Sequence, residues 1–307
     1  MFLTILFLLL TFLILTHSEV SLNYAVSGFA LWYSKMIPTL LPFMILSGAL
    51  IRLNLSEKFA SILHPVIGRI YKCNKNVSYA IIIGFLCGFP MGAKVTADLL
   101  DNQKITSEEA DFLISFNNNI GPVYFCGFVV PLLGIKNLSL CLFAMYGIPL
   151  IYAFFLRRTV YRIGFDIQAE NKSANTAFAY LPKVPLFDGV DAAIKNAVQS
   201  ILSLCGYMVL FNTLNMLPHF IFPSGRIYLS PLLEITGGLS QIANLLPVYS
   251  LCMLQFGGLS CIAQTNGMIS GTGLSLGKYV MHKGILTVIT GIFYFIVIYL
   301  LGLSLFE

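Results

Sequence analysis

The sequence predicts an all-α, polytopic integral membrane protein made of two inverted repeats, each with a re-entrant helical hairpin. The first observation behind this prediction is composition: 57% of the 307 residues are hydrophobic and only 10% are charged. Soluble domains carry about a quarter charged residues, because their surfaces face water. The second is the presence of several uncharged runs near the ~20 residues that a transmembrane helix needs. The third is an order of elements that occurs twice along the chain.

The candidate spans define one membrane domain over the whole chain, because no polar stretch is long enough to form a separate soluble module. Residues 1–23 contain an N-terminal membrane helix, since the apolar opening lacks the basic start and small-residue cleavage site of a signal peptide. The first repeat covers residues 24–135, and a linking helix covers 136–156. A polar loop at 157–187 leads to the second repeat at 188–307.

Each repeat contains a kinked span, a short interfacial segment, a glycine-rich hairpin and a spanning helix. Prolines in the first span are expected to kink or break it, because they remove helix hydrogen bonds. The hairpin is inferred because its apolar run is too short to cross comfortably and contains central glycine and proline. In the first half the four elements are residues 24–51, 55–70, 77–104 and 106–135. In the second half they are residues 190–217, 227–245, 248–276 and 279–306.

The distribution of basic residues tests the orientation independently. If each half crosses the membrane twice, the linking helix turns the second half upside down. This arrangement puts the two basic loops, 52–75 and 157–195, on the same side, as the positive-inside rule requires. Inverted repeats whose broken helices meet at mid-membrane are a common plan of secondary transporters. We therefore expect a multi-pass membrane protein that moves a small solute.

The two hairpin tips, residues 84–94 and 257–266, are the expected substrate site. Glycines let backbone amides approach a ligand, and half-helix N-termini directed at the tip favour an anionic group. The alternative is that these glycines only permit close helix packing. The candidate substrate-binding residues from the tips are Gly88, Phe89, Pro90, Gly92, Lys94, Gly258, Ser260, Gln264 and Asn266.

Further candidates lie just outside the tips. Asn117, Asn118 and Asn119 precede a Gly-Pro pair, which predicts an unwound segment that lines the ligand; hydrogen bonding between helices is the alternative. Glu234 and the lysine of the first tip are the charges nearest the hairpins, and charges at membrane depth are costly and usually functional. For both, snorkelling at the hairpin mouth is the alternative. Thr236 would line the same cavity as Glu234.

No enzymatic chemistry is predicted. The seven cysteines form no CxxC pair, the four histidines form no HExxH motif, and the chain lacks P-loop, GxSxG and dinucleotide-binding fingerprints. We therefore expect no catalytic residue, no metal site and no cofactor. The net charge of +5 arises from the basic loops rather than from a nucleic-acid-binding surface. The expected partners are a small-molecule substrate and the lipid bilayer, and the oligomeric state stays open.

Five segments carry a resemblance to a known family. They are residues 37–43 (IPTLLPF), 88–94 (GFPMGAK), 116–122 (FNNNIGP), 234–239 (EITGGL) and 257–264 (GGLSCIAQ). In this order they resemble the nucleoside-recognition (Gate) membrane family, and within it the sporulation integral membrane branch, the YlbJ type. The chain departs from that branch at Cys87, where the branch often has Ser, and at Ile262, where it often has His. These departures bear on the substrate rather than on the fold.

The resemblance implies a fold related to concentrative nucleoside transporters, with substrate held between two hairpin tips and two broken helices. The sporulation branch implies a transporter of dipicolinate into the developing spore, in the outer forespore membrane of an endospore-forming bacterium. A nucleoside transporter is the first alternative, because the neutral amides and the carboxylate among the candidates suit a nucleoside. A non-transporting sporulation scaffold is the second. The sequence does not predict a driving ion.

Overall fold

The computed structural model describes residues 2–162, 185–242 and 245–306. Within them the chain is helical and has no β-strand beyond a single bridge, so the prediction of an all-α fold is confirmed. The polar loop expected at 157–187 lies largely outside the described residues. The described helices are α1 (Phe2–Thr16), α2 (Ser18–Arg52), α3 (Ser56–Ala60), α4 (His64–Tyr71), α5 (Lys75–Cys87), α6 (Met91–Asp101), α7 (Ser107–Ile114), α8 (Pro122–Leu133), α9 (Leu138–Thr159), α10 (Leu186–Ile221), α11 (Arg226–Leu233), α12 (Ile235–Ile242), α13 (Pro247–Phe256), α14 (Gly258–Ile269) and α15 (Leu276–Leu300).

Four of the described helices are long and apolar enough to cross a membrane, by length and composition: α2, α9, α10 and α15. They support the prediction of a membrane protein. α1, α5 and α8 contain shorter apolar stretches. α2 begins at Ser18 rather than at residue 24, so it follows α1 after a break at His17 alone.

The two prolines expected to interrupt the first long span do not end it. A π-helical turn, Trp32–Met36, ends two residues before Pro38, and the helix continues to Arg52. A π turn changes the hydrogen-bond pairing locally, which lets a helix accommodate a residue without a backbone N–H. The indole Nε1 of Trp32 donates to the Ile201 carbonyl on α10 at 2.7 Å. This turn therefore joins the first long helices of the two halves, which run along each other.

The helix pair predicted in the first half is present. α5 and α6 pack together and are joined by Gly88, Phe89 and Pro90. After this pair, α7 begins with a capping box in which Thr106 Oγ1 accepts from the Glu109 backbone N–H at 3.2 Å. α7 ends before the three asparagines and α8 starts after them. The predicted spanning helix 106–135 is therefore broken at that segment.

The second half differs from the prediction in where the chain folds back on itself. The closely packed helix pair is α11–α12, joined at Glu234, and not the predicted hairpin 248–276. α13 packs against α15, whereas α14 packs against α6 and α10, so the two helices beside Gly257 have different neighbours. The reason is that a charge interrupting an apolar run can cap a new helix and mark a turn, while a glycine pair can simply break one.

The described helices follow the same order in both halves. A long helix (α2 or α10) precedes a helix pair (α5–α6 or α11–α12), then a broken helix (α7–α8 or α13–α14) and a last long helix (α9 or α15). By this order α9, predicted as a linking helix at 136–156, corresponds to α15. The domain boundaries themselves stay predictions.

Two large clusters of buried apolar side chains hold the helices together. One lies among α2, α5, α6, α7 and α10, and the other among α8, α9, α12, α13 and α15. On one face, Arg157 Nε at the end of α9 donates to the Tyr71 carbonyl of α4 at 2.8 Å. The described parts of the two basic segments therefore lie side by side, and their placement on one side of the membrane stays a prediction.

Candidate functional site

A cavity of about 240 Å³ lies where chain breaks of both halves meet. The end of α5 contributes Cys87, its link to α6 contributes Phe89, and the break between α7 and α8 contributes Ile120 and Gly121. Most of the other lining atoms belong to apolar side chains. The residues from the second half include Met208, Glu234, Ile235, Thr236, Leu254, Cys261 and Gln264, and α2 supplies Met36, Pro38, Thr39, Leu40 and Phe43.

Glycines hold the backbone of each helix pair against the next broken helix. Gly88 has φ +83° and ψ −169°, a conformation open essentially to glycine alone, and a Cβ there would lie 2.5 Å from Gly121 Cα. Gly258 has φ +73°, and a Cβ there would lie 2.9 Å from the Pro231 carbonyl oxygen of α11. Neither Gly88 nor Gly258 lines the cavity. These contacts agree with the close packing that the sequence left as the alternative, and a role of either glycine in binding stays a prediction.

Glu234 is the carboxylate that lines the cavity, and it is only 2% exposed. Its Oε1 accepts from the Thr236 backbone N–H at 3.1 Å, and its Oε2 accepts from the Gly237 backbone N–H at 2.6 Å. The Asn212 side chain of α10 hydrogen-bonds to the same carboxylate. The first turn of α12 thus binds the carboxylate through free amides and the positive end of the helix dipole. Two backbone amides of α12 and one side chain of α10 therefore fix the position of the Glu234 carboxylate.

The three consecutive asparagines are buried in contacts with protein. Nδ2 of Asn117 donates to a backbone carbonyl of α5 at 2.7 Å. Nδ2 of Asn118 donates to Thr265 Oγ1 at 2.8 Å and to Tyr279 Oη at 3.2 Å, on α14 and α15. Nδ2 of Asn119 donates to the carbonyl three residues before it at 2.7 Å. They join helices around the break, as the alternative held, and the two residues after them line the cavity.

Lys283 on α15 is a buried charge that the sequence analysis missed. Its Nζ donates to the Asn118 carbonyl at 3.0 Å and to Asn119 Oδ1 at 3.2 Å, and lies 4.7 Å from the centroid of the Phe89 ring. The last element was expected at residues 279–306, and Lys283 was not among the candidate site residues. A usable signal was its spacing of four residues from Tyr279, which puts both side chains on one helix face.

The structure separates the remaining predicted residues from the cavity. The Lys94 ammonium pairs with Asp98 Oδ1 on its own helix at 2.6 Å. Ser260 is buried and accepts from Gln264 Nε2 at 2.9 Å, whereas Asn266 is exposed. Pro90 precedes α6, and Gly92 lies against a carbonyl of the broken segment. Of the predicted residues, those that line the cavity are Phe89, Glu234, Thr236 and Gln264.

The arrangement is suited to binding a small solute. The walls are mainly apolar, and the polar groups among them are a carboxylate, an amide and hydroxyls. Ligand sites commonly combine an apolar lining with a few fixed polar groups. The Lys283 ammonium lies 4.7 Å from the ring centroid of Phe89, which is one of the lining residues.

Comparison with known proteins gives one relative. No protein-family model matches the chain, and no solved structure matches it. The chain is similar to the sporulation integral membrane protein YlbJ of Bacillus subtilis (strain 168), with 25% identity over 325 aligned residues. The alignment covers 90% of this chain and 77% of that protein. Together with the four apolar helices, this similarity supports the conclusion that the chain is an integral membrane protein, and it is consistent with a protein of sporulation.

Proposed function

We propose that this chain is a multi-pass membrane transporter that moves a small solute without changing it chemically. The observation that carries the proposal is that both helix-pair links, the first helix break and the two helices beside the second break meet around one cavity. Non-helical backbone is tolerated at membrane depth only where protein or a water-filled cavity satisfies its polar groups. Broken helices that meet at a central site are the plan of many secondary transporters.

The repeated order of elements supports an inverted arrangement. Suppose that each helix pair is a re-entrant hairpin, which enters and leaves the membrane on one side. Each half then crosses the membrane three times, through its first long helix, its broken helix and its last long helix. An odd number of crossings turns the second half upside down without a separate linking helix. This proposal replaces the linking role that the sequence analysis gave to residues 136–156.

Dipicolinate, carried into the developing spore across the outer forespore membrane, is the substrate we propose. The name of the similar protein connects it with sporulation, and the family resemblance implies dipicolinate transport. The cavity of about 240 Å³ is smaller than the roughly 300–1,000 Å³ typical of sites for drug-sized ligands, which favours a compact ring. Phe89 lines the cavity and can stack on such a ring.

A nucleoside is the second candidate substrate. The observation in its favour is the lining itself, because Glu234, Thr236 and Gln264 can hydrogen-bond to sugar hydroxyls or to a base. In this alternative the carboxylate binds the solute directly. Phe89 would then stack on the base.

The experiment is uptake by purified protein in liposomes, with labelled dipicolinate compared with labelled uridine and with protein-free liposomes as background. Saturable dipicolinate uptake is the expected result, and uridine uptake alone would favour the nucleoside. Uptake of neither solute by folded protein would reject transport and favour the scaffold.

A matched pair of variants on α14 locates the site. Gln264→Leu changes a lining residue and should reduce uptake by about tenfold, since a hydrogen bond to a charged ligand contributes about 1.5–3 kcal/mol. Asn266→Leu changes an exposed residue and should leave uptake unchanged.

A further inference from the structure

The buried ammonium of Lys283 is not part of the cavity lining, and its contacts leave its charge uncompensated. Lys283 is 1% exposed, and two of its three N–H groups are used by the Asn118 carbonyl and by Asn119 Oδ1. Among the described residues no carboxylate lies within 4.0 Å of its Nζ. Lys94, by contrast, has a carboxylate partner at 2.6 Å.

An isolated buried charge is unfavourable. Burial strongly penalises an ion even after relaxation of the protein, and a neighbouring aromatic ring recovers only part of that penalty. Neutral amide oxygens stabilise an ammonium less than a carboxylate does. Because burial disfavours the charged form of a lysine, an anion beside Lys283 would stabilise its ammonium.

The Phe89 side chain contacts both this ammonium and the cavity. The Phe89 ring lines the cavity and lies 4.7 Å from Lys283 Nζ, measured to the ring centroid. Phe89 belongs to the non-helical link between α5 and α6. Phe89 is therefore placed to control contact between a solute in the cavity and the ammonium.

We infer that Lys283 gives the site its preference for anionic over neutral solutes, and that Phe89 controls the contact between its charge and the solute. This inference rests on the proposed transport function and deepens it, since it assigns the selecting residue. Glu234 lines the same cavity and repels an anion. A carboxylate is therefore held towards Lys283 and away from Glu234, which orients the solute.

The test compares binding of pyridine-2,6-dicarboxylate with binding of its neutral analogue, pyridine-2,6-dicarboxamide, by purified protein. The two ligands share their ring and shape but differ in charge, so the ratio of their Kd values measures charge preference. The variants are Lys283→Met, which removes the charge at similar length, and Lys283→Arg, which keeps it. Lys94→Met is the matched control, because it removes a buried lysine that lies outside the cavity.

Wild type and Lys94→Met are expected to prefer the dicarboxylate. Lys283→Met should lose at least about tenfold in affinity for the dicarboxylate and keep its affinity for the dicarboxamide, since hydrogen bonds to charged groups contribute about 1.5–3 kcal/mol. Lys283→Arg should retain the preference. Size-exclusion profiles before and after heating show which variants are folded.

Three results would overturn the inference. The first is a wild type that binds both ligands equally. The second is a Lys283→Met variant that keeps the preference. The third is a folded Lys283→Met variant whose affinity for both ligands falls by the same factor. In that case Lys283 only stabilises the broken segment. Uptake without charge preference would leave the proposed transport standing, whereas failure of wild type to move any solute in liposomes would reject transport itself.

Discussion

The contact between Gly88 and Gly121 gives the sharpest test of the architecture. Gly88→Ala adds a Cβ that would lie 2.5 Å from Gly121 Cα and closer still to its backbone nitrogen. Backbone has to move, because no flexible side chain is available there to yield. The substitution also places alanine at φ +83° and ψ −169°, which costs about 1–3 kcal/mol.

Overpacking of a tight interior adds about 1–3 kcal/mol to that strain. We therefore expect Gly88→Ala to lower the free energy of unfolding by about 3 kcal/mol and to abolish solute binding, since the first helix-pair link would move away from the broken helix. Gly127→Ala is the matched control, because a Cβ at this position of α8 meets no atom within 4 Å. Alanine in a helix interior is favoured over glycine by about 0.5–1 kcal/mol, so the control should be as stable as wild type or slightly more stable.

The assay is thermal unfolding in detergent, followed by size-exclusion chromatography, with dipicolinate binding measured on the same samples. A Gly88→Ala protein within about 0.5 kcal/mol of wild type that binds normally would refute the close approach of the two backbones. Surface substitutions away from special features usually fall in that range.

Three further predictions concern buried polar groups. Asn118→Leu should destabilise the protein by about 1–3 kcal/mol, because its buried hydroxyl partners on α14 and α15 lose their hydrogen bonds to the amide. Asn266→Leu, at an exposed position, should not destabilise it. Equal melting temperatures for the two variants would contradict this hydrogen-bond network. Glu234→Gln replaces an acceptor oxygen at the start of α12 with a donor, so the melting temperature should fall, and an unchanged value would remove the capping role. The pKa of His64 is lowered by burial and by a nearby lysine, so the folded state binds fewer protons than the unfolded state and stability should fall as the pH drops from 7 towards 5. His64→Gln should flatten that dependence in unfolding scans, and identical pH profiles would rule the histidine out.

Much of the candidate site could be predicted from local pattern. Phe89, Glu234 and Gln264 line the cavity as expected, because a break in an apolar run is a local property that sequence reveals. The three asparagines were correctly assigned to an unwound segment. Their side chains bind other helices rather than the cavity, and this depends on partners as distant in sequence as Thr265, 147 residues from Asn118.

The pairing of helices in the second half could not be predicted in the same way. A glycine pair and an isolated glutamate both interrupt an apolar run, and either can form a tight turn or break one continuing helix. The structure makes Glu234 the turn and Gly257 the break, because the carboxylate caps α12 and the helices on either side of Gly257 pack against different neighbours.

The sequence by itself determined that this is a helical membrane protein with polar breaks in its apolar runs, because composition and the length of those runs depend only on local residues. The tertiary structure decided which breaks meet at one cavity and which charge lies beside it. Lys283 looked like a flanking lysine along the chain, and only the packing of α15 against the broken segment buries its ammonium next to Phe89. Contacts between distant segments depend on how the whole chain folds, so they cannot be predicted from local sequence patterns.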